Sequence, residues 1–388
     1  MSIQAPRIGI VDTCCPAPYG LGVLATRPLG GTEATVLKIV HALQGKFRFS
    51  LFQRNAPTSN GSGGCAMHPL DKAFEDQSCQ AFLVINSWKV ACRLRRFHPQ
   101  APIAVWLHVH PGRHNRQMGA ALAKANIDVI CVSDSQARQL SDFFGSGPQP
   151  EISYIHNPIA DDLVPDDTPR NPDRLFFCSS PHKGLRQVFR QFAALRERFP
   201  KLTLEVADPG YLSWDTGKIP EGVWLRGSLA HDRLIARMRR ALCLFYPQDS
   251  FAETFGLVIA EANAVGTPVL VQRGLGANDE VVSGDDQLID STDLDQLSAR
   301  IRQWQTEFPS VQCQPCFRLG YVSARWQQRL ESMLSGAASH NPTTGPAHRN
   351  TTLFSEFRGP KFAKNYVKTN RLRHDGEGKR YFKEFQCK

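Results

Sequence analysis

Two glutamates eight positions apart, Glu253 and Glu261, are the residues of this chain best placed to do chemistry. They lie in "SFAETFGLVIAEANAVGTPVLV" (residues 250–271), where the strand-like run "LCLFYP" passes into a polar loop and then an apolar, helical stretch closed by Gly266. Gly256 stands at the entrance of that helix. A glycine there lets a ligand approach free backbone N–H groups, and the positive end of the helix dipole favours a phosphate. Glu253 stands just before this anion site, and Glu261 lies more than a turn inside the helix. They do not flank one point as the paired carboxylates of a glycoside hydrolase must. They read instead as two acceptors for hydroxyls on either side of a phosphate-bearing ligand. On spacing alone, an ordinary helix with one Glu near its cap and one on its surface explains the pattern equally well.

The elements that must hold these residues alternate between strand and helix. "RIGIVD" is a first strand, and a Gly/Pro-rich loop leads to "LGGTEATVLKIVHAL", whose Val36, Leu37, Val40 and Leu43 recur at helical spacing. "FSLFQ", "AFLVINS", "IAVWLHVH", "DVICVSD" and "ISYIHNP" continue as strands. A second series runs from "LFFCSS" through the helix "GLRQVFRQFAALRERF", strands "LTLEVAD" and "VWLRG", helix "HDRLIARMRRA" and strand "LCLFYP". The Glu261 helix, "PVLVQ" and the helix "LDQLSARIRQWQ" complete it. This alternation predicts two α/β domains with parallel, doubly wound sheets facing a cleft. Ligands of such sheets bind outside the carboxyl ends of the strands. The boundaries read as a first domain over 1–160, a polar, Pro/Asp-rich linker over 161–174, a second domain over 175–320, a terminal helix over 321–335 and a basic tail over 336–388.

Composition bounds the alternatives. At 388 residues, 41% apolar and 21% charged, the chain has the make-up of a globular protein with two ordinary cores. No apolar run approaches the ~18 residues of a spanning helix, and "MSIQAPRIGIVD" reads as a strand rather than a signal peptide. The cysteines number eleven, an odd count, and several sit in apolar strands, so buried free thiols are expected. The lone C-x-x-C of Cys313 and Cys316 lacks a second pair for zinc and a preceding strand for redox chemistry. Of the net charge of +10, the last 52 residues carry +7, from eleven Lys or Arg against four acidic residues. The body is therefore nearly neutral.

The whole pattern resembles the signature of the family 4 (group 1) retaining glycosyltransferases of the GT-B fold, with its Glu-x7-Glu motif. The resemblance covers residues 7 to about 334 and includes "LGGTE", "VSDSQAR", "IHNP", "HKGL", "RGSLAHDRLIARMRRALCLFYP", "GLGANDEVV" and "YVSARWQQRLESML" in order. It implies two Rossmann-like domains, with the last helix crossing back to the first. It also implies transfer of a sugar from a nucleotide-sugar donor to a hydroxyl acceptor, a glycan, a lipid-linked compound or a small molecule. No metal or other cofactor is expected. Glu253 would contact donor-sugar hydroxyls near the reacting carbon, and Glu261 the ribose. The N–H groups of Gly256 and Leu257 would hold the diphosphate. Lys183 would neutralise the leaving diphosphate, with Ser180 beside it. Gly30 and Gly31 would let backbone approach the phosphates or the acceptor, the alternative being a simple tight turn. Of the histidines in "WLHVHPGRH", His108 at the strand end is favoured over His110 as the residue touching sugar or acceptor, and the two point opposite ways if the strand continues.

One departure stands out. Many members carry an Arg five residues before the Lys, and here that place is Cys178. The hydroxyls of Ser179 and Ser180 cannot replace a charge, which leaves Arg186 and Arg273 as cations that approach from elsewhere. The only D-x-D, Asp293–Leu294–Asp295, reads as helix capping. The tail interleaves cations and aromatics, a composition suited to an anionic membrane surface and less to nucleic acid, or to a back-folded appendage. The basic stretch "WKVACRLRRFH" offers a second such surface or an ordinary solvated face. A cytoplasmic location, peripheral to a membrane, is the expectation. Two rival readings are a nucleotide-sugar epimerase or hydrolase on the same fold, and a degenerate sugar-nucleotide-binding protein.

Overall fold

Apolar runs without alternation are buried on both faces, and in this chain they become the central strands of two parallel sheets. The computed structural model describes residues 4–23, 29–59, 64–208 and 216–335. The first sheet is built from β1 (Arg7–Asp12), β2 (Arg48–Gln53), β3 (Cys65–Pro69), β4 (Ala81–Ile85), β5 (Ile103–Leu107), β6 (Asp128–Cys131) and β7 (Ile152–Tyr154). Their order is β3-β2-β1-β4-β5-β6-β7, and every neighbouring pair is parallel. β4 and β5, "AFLVI" and "IAVWL", are buried throughout. Helices α1 (Gly31–Ala42), α2 (Trp88–Phe97), α3 (Met118–Lys124) and α4 (Asp134–Phe144) connect the strands.

The second sheet repeats the plan with β8 (Asn171–Cys178), β9 (Thr203–Ala207), β10 (Val223–Gly227), β11 (Ala241–Tyr246), β12 (Val269–Gln272) and β13 (Leu288–Ile289). Its order, β10-β9-β8-β11-β12-β13, reverses direction between β8 and β11 as the first sheet does between β1 and β4. Those reversals are the switch points at which open α/β sheets bind ligands. Helices α5 (Leu185–Arg198), α6 (His231–Arg239), α7 (Leu257–Ala264), α8 (Asn278–Val281) and α9 (Leu294–Thr306) belong to this half.

The chain returns to the first domain at its end. Ile159 bridges Arg318 through Ile159 N–H to the Phe317 carbonyl at 2.7 Å and Leu319 N–H to the Ile159 carbonyl at 2.8 Å. From there α10 (Leu319–Ser335) packs on α1, with Trp326 against Trp106 at 4.3 Å between ring centroids. Arg329 of α10 pairs with Asp128 at 2.5 Å. One apolar cluster thus runs from the α1 face of the first sheet into the second domain through Ile155, Phe255 and Phe317.

Several details differ from the sequence reading. The segment 161–174 is not linker throughout, because β8 begins at Asn171. The Asn171 N–H bonds the Arg240 carbonyl at 3.0 Å, so backbone pairing extends the strand through residues whose side chains are polar. The terminal helix begins at Leu319, directly after the bridge to Ile159. β3, α8 and β13 are further elements, and β5, β6 and β7 are shorter than their apolar runs suggest. Among the described residues the cysteines are free thiols, and no helix is long and apolar enough to cross a membrane. The basic tail, 336–388, lies outside the described residues.

Candidate active site at the domain cleft

β11 delivers Tyr246 to the end of the second sheet, and the loop that follows is shaped by Gln248. Its side-chain oxygen accepts from Ser250 N–H at 2.9 Å and Phe251 N–H at 2.7 Å, and its amide donates to the Phe251 carbonyl at 2.8 Å. This fold of the loop sets Glu253 inward, buried beside the end of β8. There Lys183 donates to both carboxylate oxygens, at 2.9 and 3.0 Å, and the Tyr246 hydroxyl donates to one of them at 3.0 Å. Lys183 sits in a turn closed by its own N–H on the Ser180 carbonyl at 2.9 Å, just before α5. Its ammonium also lies over the Phe251 ring, 4.7 Å from the centroid. Neighbouring His182 packs edge-on against the same ring; burial, and then the Lys183 charge, lower its pKa to about 4. Ser180 is buried in this turn.

Gly256 is the N-cap of α7 at φ 91°, ψ 60°, a left-handed conformation that costs other residues about 1–2 kcal/mol. No side chain caps the helix, so its first turn presents backbone N–H groups beginning at Leu257. One turn further on, Glu261 is buried and accepts from His231 Nε2 at 3.0 Å. Lys38 of α1 reaches the same oxygen from the first domain, at 3.8 Å. Burial alone would raise the Glu261 pKa, but the His231 bond and the Lys38 charge outweigh it and the carboxyl lies below its ordinary value. The bond to Glu261 raises the His231 pKa in turn, against the effect of burial.

The first domain contributes a second glycine-led helix start. Gly30 is the N-cap of α1 with no capping side chain, and the Glu33 carboxylate folds so closely over it that a Cβ would collide. A Cβ at Gly31 would stand 2.9 Å from the Leu257 side chain, so the beginnings of α1 and α7 meet across the cleft. β5 ends at Leu107, and the strand does not continue through the two histidines. The His108 carbonyl accepts from Thr254 Oγ1 at 3.0 Å, and its ring is buried against Trp106 at 4.9 Å. Burial holds that imidazole neutral, with its pKa lowered to about 3, and Nε2 has no hydrogen-bond partner among the described residues. His110 also faces the signature loop, where the Glu253 backbone and charge partly offset the lowering of its pKa by burial. The loop is further tied to the first domain by Ser133 Oγ, which donates to the Thr254 carbonyl at 2.6 Å.

The structure therefore brings Lys183 and Glu253 into direct contact, places Ser180 in the same turn, and sets Gly31 against Leu257. Glu261 stands apart from that group with partners of its own. Cys178 is buried, and burial followed by the Glu261 charge drive its thiol well above the ordinary value, so this position offers no charge. Arg273 is paired with Asp285, at 3.9 Å to its carboxylate and 3.3 Å to its carbonyl. Asp293 accepts from Asp295 N–H and Gln296 N–H, both at 2.9 Å, as the N-cap of α9. Tyr246, His231 and Lys38 were missed in the sequence. The one available signal was that Lys38 falls seven residues after Gly31, on the same face of the helix.

Comparison with known proteins bears on the second domain and on the fold. Residues 177–309 match the family model described as "Glycosyl transferases group 1". Glycogen synthase of Mycobacterium tuberculosis (strain CDC 1551 / Oshkosh) is 28% identical over 242 residues, 55% of this chain and 58% of the relative. The chain thus spans little more than half the length of the curated relatives it matches. Among solved structures, sucrose-phosphate synthase from Thermosynechococcus elongatus superposes with a TM-score of 0.59 at 17% identity, covering 86% of this chain and 97% of that one. A UDP-forming alpha,alpha-trehalose-phosphate synthase from Burkholderia vietnamiensis gives 0.58 at 11% identity, covering 86% and 100%. At these identities the likeness is one of fold, two parallel α/β domains in the GT-B arrangement. The family match thus falls on the second domain, residues 177–309, and the likeness in fold extends over both domains.

Proposed function

We propose that this chain is a glycosyltransferase that moves a sugar from a nucleotide-sugar donor to a hydroxyl acceptor with retention of anomeric configuration. The observation that carries the reading is the uncapped, glycine-led start of α7, which meets the start of α1 beside the Lys183–Glu253 pair. The α7 N-terminus and the Lys183 ammonium make a site for a diphosphate, and the buried carboxylates supply acceptors for hydroxyls on either side of it. The names of the relatives, synthases of glycogen, sucrose phosphate and trehalose phosphate, support sugar transfer, and the words "UDP-forming" support a nucleoside diphosphate as leaving group.

In this reading the N–H groups of Gly256 and Leu257 hold the diphosphate, with Gly30 and Gly31 admitting it from the opposite wall. Lys183 exchanges its bond to Glu253 for the phosphate charge that develops as the glycosidic bond breaks. Glu253, released on that side but still held by Tyr246, accepts from donor-sugar hydroxyls. Glu261 accepts from the ribose in place of His231. His108, neutral and with an open Nε2, meets the sugar or the acceptor hydroxyl. No side-chain nucleophile enters; the work is done by positioning the acceptor and stabilising the leaving group. We place the reaction in the cytoplasm, with the supply of nucleotide sugars, and assign no role to residues 336–388.

The test is incubation with UDP-, GDP- and ADP-sugars and a panel of glycan and small-molecule acceptors, reading free nucleotide and product anomer. Release of nucleoside diphosphate with a retained anomer in the product is expected. Epimerised donor without transfer, or tight donor binding without turnover, would replace this reading with one of an isomerase or a binding protein.

A further inference from the structure

The segment "GLGANDEVV" lies outside the donor site just described, yet it grips the backbone of Glu253. The Ala277 N–H donates to the Glu253 carbonyl at 3.0 Å. Gly276, at φ +60°, lies so close that a Cβ there would stand 2.7 Å from the Glu253 nitrogen and closer still to its carbonyl oxygen. Four residues on, across the single turn of α8, Glu280 faces the first domain. One of its carboxylate oxygens accepts from Asp134 N–H at 2.9 Å and His156 Nε2 at 2.8 Å, and the other accepts from Ser135 N–H at 2.8 Å. Asp134 and Ser135 open α4, whose N-cap, Ser133, makes the separate bond to the Thr254 carbonyl. The start of α4 is therefore fastened to the signature loop twice, directly at Thr254 and through α8 at Glu253.

The electrostatics agree with a tight joint. Burial would raise the Glu280 pKa, but His156 and the two amides hold the carboxyl below its ordinary value. His156 is raised despite its own burial, with Cys316 and Glu280 as its partners, and its ring is wedged between Phe255 and Phe317. A carboxylate that accepts three N–H groups from another domain is fixed in direction as well as place.

We propose that Glu280 is a positioning residue, which through α8 couples the start of the first domain's α4 to the placement of Glu253. It touches neither donor nor acceptor. Its effect on turnover rests on the proposed role of Glu253, whereas the mechanical coupling does not.

Two arms separate those claims. In the first, amide hydrogen exchange is followed in Glu280→Ala and in Glu280→Gln, which keeps one acceptor oxygen and the side-chain volume. Glu280→Ala should speed exchange of the Asp134 and Ser135 amides and of the Ala277 amide together, by about tenfold or more, with Glu280→Gln between it and the wild type. Faster exchange at Asp134 and Ser135 with wild-type protection at Ala277, in either variant, overturns the coupling whether or not the chain transfers sugar. In the second arm, with a donor turned over by the wild type, kcat of Glu280→Ala should fall about tenfold while Kd for the nucleoside diphosphate moves less than about threefold. Unchanged kcat per folded molecule overturns the effect on turnover. A wild type that transfers no sugar from any of the donors defeats the functional reading alone, since the exchange arm still decides the coupling.

Discussion

The two carboxylates of the signature, eight positions apart with the start of α7 between them, are held in different ways. The Glu253 carboxylate is bonded by groups of its own domain, Lys183 on both oxygens and Tyr246 on one, all at 2.9–3.0 Å, while its backbone is clamped by Gly276 and Ala277 and met from the first domain by His110. Glu261 is held by His231, whose side chain is half exposed, and across the cleft by Lys38 at 3.8 Å. The first is a fixed group in a dry, preorganised setting. The second is restrained by a titratable partner and by a contact that exists only while the domains are together. A ligand that arrives at the Glu253 end competes with an ammonium held on both carboxylate oxygens, while at the Glu261 end it displaces a half-exposed histidine from a buried carboxylate.

This contrast can be broken at either end. The largest effect is expected for Glu253→Ala, which should lower kcat by about 10²–10³ with the fold intact, in line with loss of an oriented polar group at a reacting centre. Steady-state kinetics beside a circular dichroism melt would check it, and near-normal turnover would remove Glu253 from the site. Gly276→Ala puts a methyl group against the Glu253 backbone at a left-handed φ, and should destabilise the chain by about 2–3 kcal/mol in urea unfolding. A neutral result would show that the Glu253 end is not rigid. If Glu261 holds the ribose as proposed, Glu261→Gln should raise the donor KM about tenfold with kcat little altered, because that contact is equal in ground and transition states. A kcat loss equal to that of Glu253→Ala would erase the distinction between the two ends.

The smallest effect is one of pH. The folded-state pKa of His231 is raised by Glu261, so the stability this bond contributes is fully present below the unfolded value near 6.5 and is lost as pH rises through the raised value. Because His231 is half exposed, the contribution is about 0.5–1 kcal/mol at most. His231→Gln should therefore be less stable than the wild type at pH 6 and converge with it by about pH 9. A difference that grew with pH would mean that His231 is bonded in its neutral form.

The placing of Glu253 and Glu261 on either side of a glycine-led helix start was legible from the residues alone, whereas Lys183 was singled out only through the resemblance to the group 1 glycosyltransferases. The alternation of apolar and helical stretches likewise gave both sheets, since central strands buried on two faces have little freedom in composition. β3 escaped because "CAMHP" is an edge strand, half-buried and without an apolar run. Tyr246 looked like any core residue at the end of a strand, and its hydroxyl acquires a purpose only from the loop that brings Glu253 back to it. Lys38, His156 and Glu280 lie on a legible helix face or inside the quoted stretches "IHNP" and "GLGANDEVV", but their partners did not show. Those partners sit in the other domain, more than a hundred residues away, and a local pattern does not name them.

The double passage of the chain between the domains has a practical consequence. Residues 161–170 make the first passage, and the bridge from Ile159 to Arg318, followed by α10 on α1, makes the second. A protease that nicks only the first passage leaves the second domain covalently continuous with α10, which remains docked on the other fragment through Trp326 and Arg329. The two fragments should co-purify under native conditions and part only in denaturant, making the pair a ready source of a split protein whose halves find each other.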